Sequence, residues 1–184
     1  MSIDLGTGDG RLPHTLGRLS PERLFVGVDA NVAGLRQRSG RAARERLTNV
    51  IYVRASVEVL PRELAGVADR VTVVLPWGSL LGAVIRPSVP ALAGIRALCQ
   101  PEVTVCVVVS VAGRDLGEAD RLGVPPLDGR HLDDLAAGYA AAGFTVTSVR
   151  RLDFDQLAAW PSTWARRLAY GQPRPVIQLD ARAF

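Results

Sequence analysis

A run of small and acidic residues near the start of the chain, Ile3-Asp4-Leu5-Gly6-Thr7-Gly8-Asp9-Gly10, is followed by an acid, Asp29, that closes the next apolar segment, residues 24–29. In a chain that alternates strand and helix, ligands bind beyond the carboxyl ends of the strands, at turns of this kind. Glycine there lets the backbone turn tightly and come close to a ligand. A carboxylate about 20 residues further on is placed to accept hydrogen bonds from two ribose hydroxyls. That logic serves nicotinamide dinucleotides and S-adenosylmethionine alike. Two details favour the second. The spacing is G-x-G-x-G, without the G-x-G-x-x-G that brings a diphosphate onto a helix N-terminus. Asp4, just ahead of the glycines, would repel a diphosphate but could face the cationic sulfonium and amino end of S-adenosylmethionine. A dehydrogenase site and a plain structural turn are the competing readings. Ser56, Val57 and Glu58 follow a third apolar segment, where contacts to an adenine belong.

Two further groups could handle a base. Pro76-Trp77-Gly78 directly follows the apolar segment 71–75. In amino methyltransferases the acceptor base enters at this strand end, where an aromatic can stack on it. On its own, Trp77 reads more readily as a packing residue. The segment Ser162-Thr163-Trp164-Ala165-Arg166-Arg167-Leu168-Ala169-Tyr170-Gly171 combines aromatic rings with guanidinium groups, the chemistry expected for holding a splayed-out base. Five arginines, Arg36, Arg38, Arg41, Arg44 and Arg46, fall within eleven residues and are opposed only by Glu45. Such a cluster suits a polyanion; a solvated helix face is the alternative.

The remaining composition excludes several classes. Cys99 and Cys106 match no zinc or redox spacing and read as small core residues. His14 and His131 are isolated, too little for a histidine metal site. All 22 basic residues are arginine, with a net charge of +4 and a pI near 9.8. No apolar run reaches the roughly 18–20 residues of a membrane span, and the first residues lack the basic start and apolar stretch of a secretory signal. A cytoplasmic protein is expected, with no membrane partner.

The elements that must position these residues alternate. Strands are predicted over 2–5, 24–29, 49–54, 71–75, 103–110, 144–149 and 176–179. Helices are predicted over 12–19, 32–46, up to about 98, and 132–142, the last closed by Gly143. Near-continuous apolar strands separated by helices indicate a mostly parallel sheet with helices on both faces, an α/β fold of Rossmann-like class. The stretch 113–129, rich in Asp, Gly and Pro, is a candidate substrate loop.

Taken in order, IDLGTGDGR, FVGVDAN, NVIYVRASVEVLP, LPWGSLL and STWARRLAYG resemble the aminoglycoside-resistance methyltransferases that act on 16S rRNA, at N(1) of an adenine in the decoding A-site. The likeness runs over essentially the whole chain, and the PWG and WARRLAYG segments are its most specific parts. The resemblance implies a class I, S-adenosylmethionine-dependent methyltransferase in one domain over residues 1–184. Asp4, Gly6, Thr7, Gly8, Asp29, Ala30, Ser56, Val57, Glu58 and Ser79 would line the cofactor pocket. Trp77 and Trp164 would sandwich the flipped adenine, with Ser162 near the site of methyl transfer. Arg166, Arg167 and Arg174 would hold RNA phosphates, and the segment from Arg36 to Arg46 would dock on the small ribosomal subunit. A monomer is expected. The family carries a β-hairpin ahead of the first strand that is expected to be absent here. Gln172 and Pro173 stand where the family tends to have cations.

Methyl transfer of this kind needs positioning and desolvation more than acid–base chemistry. The N(1) lone pair of adenine is free at neutral pH, so no general base is required. The alternatives are a tRNA or small-molecule methyltransferase with the same cofactor half, and a non-catalytic RNA-binding relative. A nicotinamide oxidoreductase ranks behind them.

Overall fold

The computed structural model describes residues 1–87, 89–110, 129–171 and 175–184. Seven strands, β1 (Ser2–Leu5), β2 (Phe25–Asp29), β3 (Val50–Arg54), β4 (Arg70–Val74), β5 (Thr104–Ser110), β6 (Phe144–Arg151) and β7 (Val176–Ala183), form one sheet in the order β3-β2-β1-β4-β5-β7-β6. Strands β1 to β5 pair in parallel, while β7 is antiparallel to both β5 and β6. The chain order reverses around β1, which pairs with β2 on one side and β4 on the other. Neighbouring strands that leave β1 in opposite directions open a crevice at their carboxyl ends, where ligands of such sheets bind. This is the Rossmann-like architecture expected from the alternating pattern.

Helices cover both faces: α1 (Arg11–Leu19), α2 (Val32–Arg44), α3 (Gly78–Ile85), α4 (Val89–Leu98), α5 (Gly129–Ala141), α6 (Phe154–Ala158) and α7 (Thr163–Ala169). On one face Ile3, Val71 and Val73 pack with Val84, Leu92, Ile95 and Tyr139 from α3, α4 and α5. On the other, Val74, Cys106 and Val108 pack with Leu12, Leu157 and Ala165 from α1, α6 and α7. A strand buried on both sides has no polar face to show, which is why β5 reads as the unbroken TVCVVVS. Cys99 and Cys106 are buried core residues, as expected.

Three differences from the sequence reading have physical causes. The helix expected to end near residue 98 is two helices, α3 and α4, separated around Pro87, because a proline restricts the residue before it and lacks the N–H a helix needs. Strand β7 continues to Ala183, since Leu179, Ala181 and Ala183 keep the inward side of a period-two alternation. Helices α6 and α7 were not anticipated, being too short for periodicity to show. A capping box at Asp153 and Gln156 does mark the start of α6. The candidate loop at 113–129 lies outside the described residues except for Gly129. Among the described residues, no single helix is long and apolar enough to cross a membrane.

The turn after β1 needs glycine for steric reasons. Gly6, Gly8 and Gly10 all have left-handed backbones, with φ of 67°, 60° and 68°. At Gly10 an added Cβ would sit 2.5 Å from Cε1 of Tyr52, whose hydroxyl donates to the Gly10 carbonyl at 3.0 Å. Gly10→Ala combines a left-handed penalty of about 1–2 kcal/mol with overpacking of about 1–3 kcal/mol against a rigid ring. Urea denaturation should therefore show a loss of about 2–5 kcal/mol. A midpoint equal to that of the wild type would mean that the turn is not held as described.

Candidate active site

The carboxyl ends of β1, β2 and β4 surround a cavity of about 540 Å³. Its wall contains Gly6, Thr7 and Gly8 from the first turn, Asp29 and Ala30 after β2, Ser56 and Val57 after β3, and Trp77 and Ser79 after β4. Ser162 and Trp164 complete it from the start of α7. The structure thus gathers eleven of the residues singled out in the sequence around one space. Asp4 and Glu58 are the exceptions, each one layer removed from the wall.

Asp29 organises the cavity floor. Its Oδ2 accepts the Gly8 N–H at 2.7 Å and its Oδ1 accepts the Asn31 N–H at 2.8 Å. Asn31 in turn caps α2, its side chain accepting from Ala33 N. A carboxylate offers about four acceptor positions, so two remain for hydroxyl donors from a ligand. The amides of Gly6 and Thr7 both donate to the Val28 carbonyl, at 2.8 and 3.1 Å, tying the turn to β2. A Cβ on Gly8 would meet open space, whereas one on Gly34 would lie 2.6 Å from the Gly8 carbonyl oxygen. The first turn of α2 therefore rests directly on the loop.

Asp4 lies behind this turn, 6% exposed. Its Oδ1 accepts from the Thr72 hydroxyl at 2.8 Å, and Thr7 Oγ1, buried without a well-formed partner of its own, lies close by. Burial pushes the Asp4 carboxyl up to about 7; the two threonine hydroxyls oppose the rise and Asp29 and Asp9 add to it. Glu58 sits exposed at the rim. Its carboxyl is held below the usual range by its own backbone N–H and by the Ser79 and Ser56 hydroxyls. It thereby links the end of β3 to the start of α3.

The aromatic pair depends on a strained strand end. Leu75 is left-handed at φ 52°, and Gly78 at φ 60°. The Leu75 amide is pinned to the Val108 carbonyl at 2.7 Å. Between these two bends Trp77 is turned outward, 48% exposed. Trp164, 46% exposed, faces it with ring centroids 6.2 Å apart and planes at 54°. The Arg167 guanidinium lies 5.3 Å from the centre of the Trp164 ring. Two parallel rings holding a base between them need roughly 7 Å between planes, twice the carbon contact distance of about 3.5 Å. A modest rotation of either exposed ring would provide that slot. Ser162 accepts from Ala165 N at 3.5 Å, capping α7 from within the cavity wall.

The arginines divide. Arg38 turns inward: its Nε donates to the Asp9 carbonyl at 2.9 Å and its Nη2 to Asp9 Oδ2 at 3.2 Å. Arg41 pairs with Glu45 at 2.7 Å, and Glu45 also lies 3.2 Å from the buried His14. Arg36, Arg44 and Arg46 are exposed along and just beyond α2. Arg166 and Arg167 are exposed on α7; Arg174 lies outside the described residues. Sequence reasoning missed Asp9 as a contact residue, although it was in plain view between the glycines. Thr163, which donates to Asp9 Oδ2 at 2.8 Å, carried no signal at all.

Known proteins are similar to this chain in sequence and fold. A family model described as NpmA, 16S rRNA (adenine(1408)-N(1))-methyltransferase, matches residues 1–183. A 16S rRNA (adenine(1408)-N(1))-methyltransferase of Streptoalloteichus hindustanus is 35% identical over 181 residues, spanning 94% of this chain and 81% of the relative. One from Escherichia coli is 31% identical over 185 residues, spanning 97% and 84%. Among solved structures, the aminoglycoside resistance methyltransferase NpmB1 superposes with a TM-score of 0.86 at 39% identity, covering all of this chain and 86% of that one.

The buried Asp4 gives the site a signature in pH. Its folded-state value, about 7, is above its ordinary 3.8, so between these limits the folded chain holds a proton that the unfolded chain has lost. Stability contributed by the neutral carboxyl is present below pH 4 and is lost as pH rises toward 7, by an amount on the order of 4 kcal/mol. Asp4→Asn should remove this slope, so its melting temperature should gain on the wild type between pH 5 and 8. Parallel curves for the two proteins would show that Asp4 is not raised.

Proposed function

Because the chain belongs to the 16S rRNA (adenine(1408)-N(1))-methyltransferase family, we propose that its cavity binds S-adenosylmethionine and that Trp77 and Trp164 hold the adenine whose N(1) is methylated. The chain is an S-adenosylmethionine-dependent methyltransferase of 16S rRNA acting at this adenine, an activity that gives resistance to aminoglycosides. The observation that carries the residue assignment is the meeting of two half-exposed indoles, from β4–α3 and from α7, across the mouth of the cavity.

The residues present fit the cofactor. Asp29 has acceptor positions left for ribose hydroxyls, and the open space at Gly8 lets the backbone approach a ligand. Ser56 and Val57 form the wall on the β3 side, with Glu58 fixing Ser56 and Ser79 from behind. Asp4 supplies a negative potential beneath the turn, and a cation in the cavity would favour its ionised form. When bound, S-adenosylmethionine supplies an electrophilic methyl group carried on a sulfonium.

The protein's own contribution is positioning. The N(1) lone pair of adenine is available at neutral pH, so no side chain has to remove a proton. Asp4 is consistent with this, since it is behind the wall rather than in it. The two indoles stack on the base, each worth about 1–3 kcal/mol, against a flipping cost of a few kcal/mol. They also favour the cationic product ring by about 0.5–2 kcal/mol. Arg36, Arg41, Arg44 and Arg46 of the α2 segment and Arg166 and Arg167 on α7, together with Arg174 further along the sequence, are assigned to rRNA phosphates. Arg38 is assigned to the loop instead. Every residue of the site comes from a single chain, which supports action as a monomer, and a ribosomal substrate supports a cytoplasmic location. The match over residues 1–183 supports one methyltransferase domain.

Primer extension on small ribosomal subunits treated with protein and S-adenosylmethionine should stop at adenine 1408, because an N(1)-methyl group blocks the pairing edge. Trp77→Ala and Trp164→Ala should each slow single-turnover methylation by about one to two orders of magnitude, with cofactor affinity near that of the wild type. If both variants are folded and methylate at the wild-type rate, the rings are packing residues and the clamp is wrong.

A further inference from the structure

Asp9 belongs to no helix or strand, yet three parts of the site meet on it. It stands between Gly8 and Gly10, both left-handed, and contributes to the cavity wall. Its Oδ2 accepts from the Thr163 hydroxyl at 2.8 Å, joining the first turn to the first residue of α7. The same oxygen and the Asp9 carbonyl receive Arg38 from α2, at 3.2 and 2.9 Å. Its Oδ1 accepts the Arg11 N–H at 3.1 Å, at the start of α1.

The bond to Thr163 matters because α7 is short and lightly held. Its cap from Ser162 is at the outer limit of a hydrogen bond, 3.5 Å; its one fully buried residue is the small Ala165, with Leu168 and Ala169 packed partly buried at its far turn. Trp164 follows Thr163 immediately. Leu168 and Ala169 anchor the far turn, whereas at the first turn Ala165 sets only the depth of the helix, and the way that first turn is held decides whether the Trp164 ring faces Trp77. A charge-assisted bond at the helix start, next to the ring, supplies that missing restraint.

We propose that Asp9 is a positioning residue that latches the Trp164 helix to the cofactor loop through Thr163, setting the base clamp in register with the methyl donor; this rests on the proposed function above. In this role Asp9 acts through Thr163 and Arg38 rather than on the base itself. Its carboxylate is divided between Thr163 and Arg38, so the loop, the clamp helix and the arginine-bearing helix α2 share one anchor.

The test uses the full chain and four variants. Thr163→Val removes the hydroxyl with little change of shape, Thr163→Ser keeps it, and Asp9→Ala and the double variant Asp9→Ala/Thr163→Val complete the cycle. Cofactor affinity, small-subunit affinity and the single-turnover rate at saturating cofactor and subunit are measured for each. Thr163→Val should slow the single turnover about tenfold with both affinities within about twofold, and Thr163→Ser should restore the rate. The double variant should be no slower than Asp9→Ala, since both remove the same bond. Should Asp9→Ala fail to fold, the Val and Ser variants decide the matter alone. A wild-type rate in Thr163→Val, a loss of cofactor affinity in that variant, or rate losses that multiply in the double variant would each overturn the latch while leaving the methyltransferase reading intact. A wild-type protein that does not methylate the subunit would overturn that reading and the latch with it.

Discussion

The bond from the Gly8 amide to the Asp29 carboxylate joins the turn after β1 to the end of β2, and the geometry of the site follows from it. Parallel pairing sets Leu5 beside Val28, which brings the two strand ends level. The turn can then fold back only through left-handed residues, which glycine adopts without strain. With the turn closed, its amides have partners in Val28 and Asp29, and its outer surface is left facing the cavity. The same closure presents Asp9 to α2 and α7. A change in this one contact would move the cavity wall, helix α2 and the facing indoles of Trp77 and Trp164 together.

The site is maintained against local costs. Asp4 keeps a carboxyl where burial disfavours its charge, and Leu75 keeps a backbone conformation that a branched residue rarely adopts. Neither feature helps the fold by itself. Both lie within the ring of strand ends around the cavity, and both place something useful there: a negative potential under the turn, and an indole aimed out of the sheet. The surrounding core, with Ile3, Val71 and Val73 on one face of the sheet and β5 apolar on both, is what allows such costs to be carried.

The fold was legible because parallel strands buried on both sides are near-continuously apolar, as the interiors of β2 (FVGV) and β5 (VCVVV) are, even though β1 and β4 carry the polar pair Asp4 and Thr72. The wall of the cavity was legible for a related reason: left-handed turns demand glycine, and Gly6, Gly8 and Gly10 announce one. The clamp was less so. Trp77 and Trp164 are far apart in the chain and each could have been a packing residue; the likeness of the PWG and WARRLAYG segments to a known family, rather than any spacing, paired them. Helix α7 was invisible because seven residues do not establish a period. The roles of Arg38 and Thr163 were invisible because their contacts cross the fold to Asp9. A run of arginines shows charge but not which guanidinium turns inward, and only the packing of α2 on the loop decides that.

The central claim is that the Asp29 carboxylate both closes the turn and receives the cofactor, and calorimetric titration with S-adenosylmethionine tests it most directly. The wild-type chain should bind one molecule without added metal. Asp29→Asn should bind at least tenfold more weakly, since hydrogen bonds to a charged partner contribute about 1.5–3 kcal/mol. Asp29→Ala should be weaker still, because the Gly8 amide then also loses its partner. An Asp29→Ala protein that is folded and binds S-adenosylmethionine as tightly as the wild type would contradict the account.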